Sequence, residues 1–172
     1  MRRVLLSATV FLALAAWAGA QGPSPALSPA AHCEMFKTNQ DLLQNLVYDG
    51  IKLADVDSPL QRAEQCSNTA SMLARFLNHA ATDQNADRVV ELAGLMTDVV
   101  RDGLVPNLNA AREQIKPGDP REAALIKVRD DVAHELGSIA GKLPADGNLA
   151  ANQRVREAIE QLTALKSTLK TP

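Results

Sequence analysis

Apolar residues recur at alternating steps of three and four through most of this chain, and no segment alternates with the two-residue period of a strand. Leu43, Leu46, Val47, Ile51 and Ala54 share one face of a first helix that stops at Asp57. Its start has two solutions: a long helix opening at Ser28-Pro29, or a shorter one opening near Thr38. Ser58-Pro59-Leu60-Gln61 reads as a capping box, with Ser58 as cap, Pro59 at the first helical position and Gln61 reaching back. The second helix then carries the seam Ala63, Cys66, Ala70, Leu73, Leu77 and Ala80, the heptad-like spacing of bundle packing. Asp83-Gln84-Asn85 interrupts it.

A third helix turns Val89, Leu92, Ala93, Met96, Val99 and Val100 inward. Gly103 and Pro106 predict that it kinks or ends, because the proline ring clashes with the Asp102 carbonyl; Leu108 and Ile115 predict that it resumes. Lys116-Pro117-Gly118 is a firm break before a second capping box, Asp119-Pro120-Arg121-Glu122. The fourth helix buries Leu125, Val128, Val132, Leu136, Ile139 and Leu143, and after the turn Pro144-Ala145-Asp146-Gly147 the last presents Val155, Ala158, Leu162, Leu165 and Leu169. Ala133, Gly137 and Gly141 recur every four positions and predict a close approach by a neighbour or a fraying end. Short connectors between helices favour antiparallel neighbours, so the expected fold is all-α: an up-and-down antiparallel bundle of four to five helices.

The N-terminus departs from this pattern. Arg2 and Arg3 precede an apolar run from Val4 to Trp17, and Ala18-Gly19-Ala20 is an A-x-A cleavage site. Residues 1–20 therefore read as a cleaved signal peptide, and the expectation is a soluble exported protein, periplasmic or extracellular. Residues 21–31, rich in Pro, Ser and Ala, read as a tether, and residues 32–172 as one helical bundle domain. Cleavage removes two of 18 basic residues against 20 acidic ones and takes the net charge from −2 to −4. An acidic balance argues against a nucleic-acid partner. Only Phe36, Tyr48 and Phe76 remain as aromatics, too few for a base-stacking platform or an aromatic sugar cleft.

Chemistry-bearing residues are sparse. Cys33 and Cys66 are candidates for a disulfide, which an oxidising compartment permits. If the first helix starts at residue 29, the two lie roughly 20 Å apart along an antiparallel pair, at about 1.5 Å per residue, and cannot bond. An extended chain from Cys33 to Asn39 would allow it. Otherwise Cys66 is a core thiol and Cys33 a free or intermolecular one. His32, His79 and His134 lack the repeated Glu-x-x-His of a di-iron bundle: Asp131 to His134 is the single near match, and His134 falls on the side away from the core. No C-x-x-C-H marks a haem, and His79 with Met96 is a pairing that chance supplies. Ser67, Ser71 and Ser138 sit in helices without a nucleophile elbow, and Asp130-Asp131 and Asp55/Asp57 are accounted for by solvated faces and a helix end. No catalytic, cofactor or metal residue is assigned.

The D-x-P-L-x-R-A helix start at Asp57-Ser58-Pro59-Leu60-Gln61-Arg62-Ala63, with Asn85-Ala86-Asp87-Arg88 and Val105-Pro106-Asn107-Leu108, resembles secreted bacterial helical-bundle domains of unknown function associated with extracytoplasmic signalling. The resemblance implies an exported helical module and no catalytic residues. Periplasmic helical chaperones built on an L-T-x-x-Q repeat fit less well, since Leu162 to Lys166 ends in lysine and occurs once. The expected function is non-catalytic contact with an unknown envelope protein, as adaptor, sensor or assembly module, with self-association a further outcome. The expected surfaces are the outer faces of the fourth and fifth helices and the segment from Val105 to Ile115. The alternative is a periplasmic small-ligand, metal or haem carrier that uses the bundle interior, through His79 or His134 with methionine or carboxylate partners.

Overall fold

A computed structural model describes residues 28–142 and 147–170. Residues 1–20, read above as a signal peptide, most of residues 21–31, read as a tether, Leu143 and most of the turn that follows it lie outside the described residues. The chain divides into two units, Met1–Asp41 and Leu42–Pro172. The described part of the first is Ser28 and the opening of helix α1, which runs Pro29–Ala54. The long-helix solution is therefore the one adopted, and the last three residues assigned to the tether are helical.

In the second unit α2 spans Pro59–Thr82, α3 Ala86–Asp98, α4 Val105–Gln114, α5 Arg121–Lys142, α6 Asn148–Ala151 and α7 Gln153–Lys170. No strand occurs among the described residues, and the fold is an all-α bundle. Helix α2 packs along α3, α4 and α5, while α7 packs along α3 and α5, so these elements enclose one core. The predicted seams fill it. Ala63, Leu73 and Leu77 of α2, Val89 and Met96 of α3, Val132, Leu136 and Ile139 of α5 and Leu162 of α7 are fully buried. The match follows from spacing: a stripe at threes and fours can be buried along its whole length only against other helices.

The third helix neither ends nor breaks at Pro106. Six residues, Val99–Leu104, form a π-helical turn between α3 and α4, closed by the Val105 N–H donating to the Val100 carbonyl. A widened turn inserts one residue into the helical ladder, which displaces the carbonyls that the ring of Pro106 would strike. Asn107 Nδ2 donates to the Gly103 carbonyl at 2.7 Å, supplying a donor in the turn where Pro106 has none.

The helix starts differ from the predicted capping boxes. Ser58 is extended and Pro59 opens α2, but the Ser58 side chain makes no cap bond. Arg62 stabilises this corner instead, its backbone N–H on the Ser58 carbonyl at 2.9 Å and its Nε on the Val56 carbonyl at 2.6 Å. At α5 the Asp119 carboxylate accepts from the Arg121 N–H at 2.9 Å, whereas Glu122 reaches past Asp119 to the Gly118 N–H at 2.9 Å. Two unforeseen caps complete the set: Asn85 accepts from the Arg88 N–H at 3.1 Å, and Asn152 accepts from the Arg154 N–H at 3.0 Å at the start of α7.

Candidate functional site

Most of the face of α1 predicted to enter the core does not. Leu43 is 45% exposed, Val47 62% and Ile51 58%, and Tyr48 beside them is 57% exposed. Of the predicted set Leu46 alone packs partly against the core, and it is joined by two residues of an adjoining face, Leu42, which is buried, and Leu53, which is partly buried. A polar bridge sets this rotation. The Asp49 carboxylate accepts from Gln65 Nε2 and from Thr69 Oγ1 of α2, both at 3.0 Å. Leu42, Asp49 and Leu53 are spaced by seven and four, so the bridge and the buried leucines occupy the same side and the remaining apolar stripe turns outward.

Large apolar side chains left this exposed forgo part of the roughly 1.5–3 kcal/mol that burial of each would contribute. Four of them on three consecutive helical turns form a patch of the kind that marks contact surfaces. Gly50 lies among them, and a Cβ built on it would meet nothing within 4 Å, so the backbone is open to approach there. Lys52 folds back over the Tyr48 ring, 4.3 Å from its centroid.

The titratable candidates are dispersed. Cys33 is exposed in α1 and Cys66 buried in α2, and both are free thiols; the extended approach that a bond between them required is not the conformation found. Burial pushes the Cys66 thiol pKa up. His79 is solvent-exposed with its Nδ1 2.9 Å from the Asp83 carboxylate, while Met96 is fully buried, so the interior pair suggested for a carrier is not brought together. His134 is exposed, as its helical phase predicted.

One cluster was not foreseen. Asp130, His134 and Ser138, four residues apart on α5, line a cleft of about 520 Å³ with Lys166 of α7. Their spacing by fours was readable in the sequence, but the arrival of Lys166 was not. Among the described residues no hydrogen bond joins Ser138 to His134 or Lys166, and Asp130 is held by Arg129 at 2.8 Å. Lys166 instead lies across Gly137, where a Cβ would sit 2.5 Å from Nζ and 3.1 Å from Cε. The small-residue stripe thus admits a lysine stem at Gly137, while Gly141 faces open space. Among the described residues no group of three His, Cys, Asp or Glu could hold a metal ion, and no helix is long and apolar enough to cross a membrane.

Fold and surface together define an all-α bundle that carries an exposed apolar face on its first helix. The chain matches no known family, no curated protein and no solved structure.

Proposed function

We propose that this chain is an exported, non-catalytic helical-bundle protein that works by contact with another protein of the cell envelope, as an adaptor, sensor or assembly module. The observation that carries this reading is the exposed set Leu43, Val47, Tyr48 and Ile51. Interface centres are built from such aromatic and aliphatic anchors in a surface otherwise mixed in charge. Export is supported by the charged, apolar and small-residue sequence of residues 1–20. The outer faces of α5 and α7 carry local pairs such as Lys127 with Asp131 and Gln153 with Glu157, which leaves them less in need of a partner than α1.

The test is photocrosslinking in cells from a benzophenone side chain at position 47 of the full chain, with Arg75 on α2 as a second, exposed position. A discrete heteromeric adduct from 47 and none from 75 is the expected result. Adducts of equal yield from both positions, no adduct, or a homodimer alone would overturn the reading.

A further inference from the structure

We propose that a groove between α4 and α5 binds a small amphipathic monocarboxylate, an alkyl or aryl chain ending in one carboxylate. The groove holds about 390 Å³ and is lined by Leu108, Arg112, Ile115, Pro117, Glu122, Leu125, Ile126 and Arg129. Its construction follows from helical spacing. Leu108, Arg112 and Ile115 fall at steps of four and three along α4 and its C-terminus, and Glu122, Leu125, Ile126 and Arg129 fall on one face of α5. The Lys116-Pro117-Gly118 turn folds these faces toward each other. Leu108 and Leu125 are buried at the base, and Ile126, 43% exposed, forms an apolar wall open to solvent. A volume of this size lies at the lower end of small-molecule sites, which are mostly apolar with a few polar groups fixing orientation.

Charge is arranged unevenly along the groove. Arg112 and Arg129, with Leu108, also line a small adjoining cavity of about 30 Å³ beside Val105, Asn109, Thr168 and Leu169, so both arginines border that end of the groove. Arg129 is held by Asp130, with Nε at 2.9 Å, but the Arg112 side chain makes no hydrogen bond or ion pair among the described residues. The groove's own carboxylate, Glu122, lies seven residues before Arg129, about 10 Å along the helix axis, and its Oε2 is occupied by the Gly118 N–H. An apolar chain along Leu108, Leu125 and Ile126 would therefore meet an unpaired guanidinium at one end. Arginine engages carboxylates through paired N–H donors, and more strongly beside an apolar wall than in open water. A cation is disfavoured at the same place, and a neutral chain would leave Arg112 unused.

The inference stands independently of the envelope contact proposed for α1. It is tested by titrating the mature chain with octanoate while recording amide NMR spectra, with 1-octanol and a short free-acid peptide ending in leucine as parallel probes. Saturable shifts confined to residues 105–129 are expected, with octanoate at least tenfold tighter than octanol. Arg112→Gln, at an exposed position, should weaken octanoate about tenfold and leave octanol unchanged. Ile126→Glu should abolish binding of both. Equal affinity for octanol, non-saturating shifts, or unchanged octanoate binding in Arg112→Gln would overturn the proposal. Tighter binding of the peptide would overturn the assignment to a small molecule. The spectra of the variants show directly whether each is folded.

Discussion

A Cβ placed on Gly103 would sit 2.9 Å from Sγ of Cys66. The π-helical turn thus brings the third helix against α2 at a point where neither residue can grow. Adding a methyl group there should cost about 1–3 kcal/mol of overpacking, which exceeds the gain of about 1 kcal/mol from replacing a helical glycine by alanine. Gly103→Ala is therefore expected to lower stability in urea titrations. In the Cys66→Ala background the sulfur is gone, and the same substitution should become neutral or stabilising. A coupling below about 0.5 kcal/mol in this double-mutant cycle would show that the close approach does not constrain the turn.

Burial of Cys66 predicts a second asymmetry. The native chain should take up one thiol label per molecule, at Cys33, and a second only on unfolding, since the thiolate is the reactive form and burial raises the Cys66 pKa above 9.0. The sign for stability follows. Below pH 9.0 both states carry the protonated thiol and the folded chain keeps its full stability; as the pH rises through the higher folded value, the unfolded chain ionises first and stability falls. Unfolding midpoints measured from pH 8 upward should decline in the wild type and decline less in Cys66→Ala. Two labels taken up by the native chain, or none, would contradict this.

The bundle core was legible because each of its helices offers one continuous apolar stripe, as in Ala63, Cys66, Ala70, Leu73, Leu77 and Ala80. Helix α1 is only partly legible because it offers two. Its apolar residues fall on two adjoining faces about 100° apart, Leu42, Leu46 and Leu53 on one and Leu43, Val47, Ile51 and Ala54 on the other, and the expected face takes Leu46 from the first and the rest from the second because spacing alone does not separate them. The choice is made by Asp49 reaching Gln65 and Thr69, a contact between residues 16 and 20 positions apart that no local pattern encodes. Likewise Gly103 and Pro106 announced a discontinuity but not its form. The apolar face on α1 and the groove beside Arg112 were hidden for related reasons: one depends on which face lost the competition for the core, the other on two helices meeting across a turn.

Thr97 is buried and its Oγ1 has no hydrogen-bond partner among the described residues. An unsatisfied buried hydroxyl costs about 1–3 kcal/mol, so Thr97→Val, which keeps the shape and removes the polar atom, should stabilise the chain by about 1 kcal/mol. Thr97→Ser retains the hydroxyl and deletes a methyl group, and should destabilise. Calorimetric melting of the two variants separates these effects, and a loss of stability in Thr97→Val would mean that the hydroxyl is satisfied in solution.

At the start of α5, Asp119 binds the Arg121 guanidinium at 2.7 Å and also accepts the Arg121 backbone N–H. The side-chain hydrogen bond, followed by the backbone one, holds its carboxyl down to about 2, below the ordinary 3.8. Because the folded value is the lower one, the interaction is fully present above pH 3.8 and is lost as the pH falls through about 2. A carboxyl-carbon NMR titration should find Asp119 still ionised at pH 3. Arg121→Gln removes the larger cause and leaves the backbone donor in place, so its Asp119 midpoint should rise toward 3.8 without reaching it. A wild-type midpoint at 3.8 would mean that this pair does not persist in water, and that the helix start depends on Glu122 and the Gly118 N–H alone.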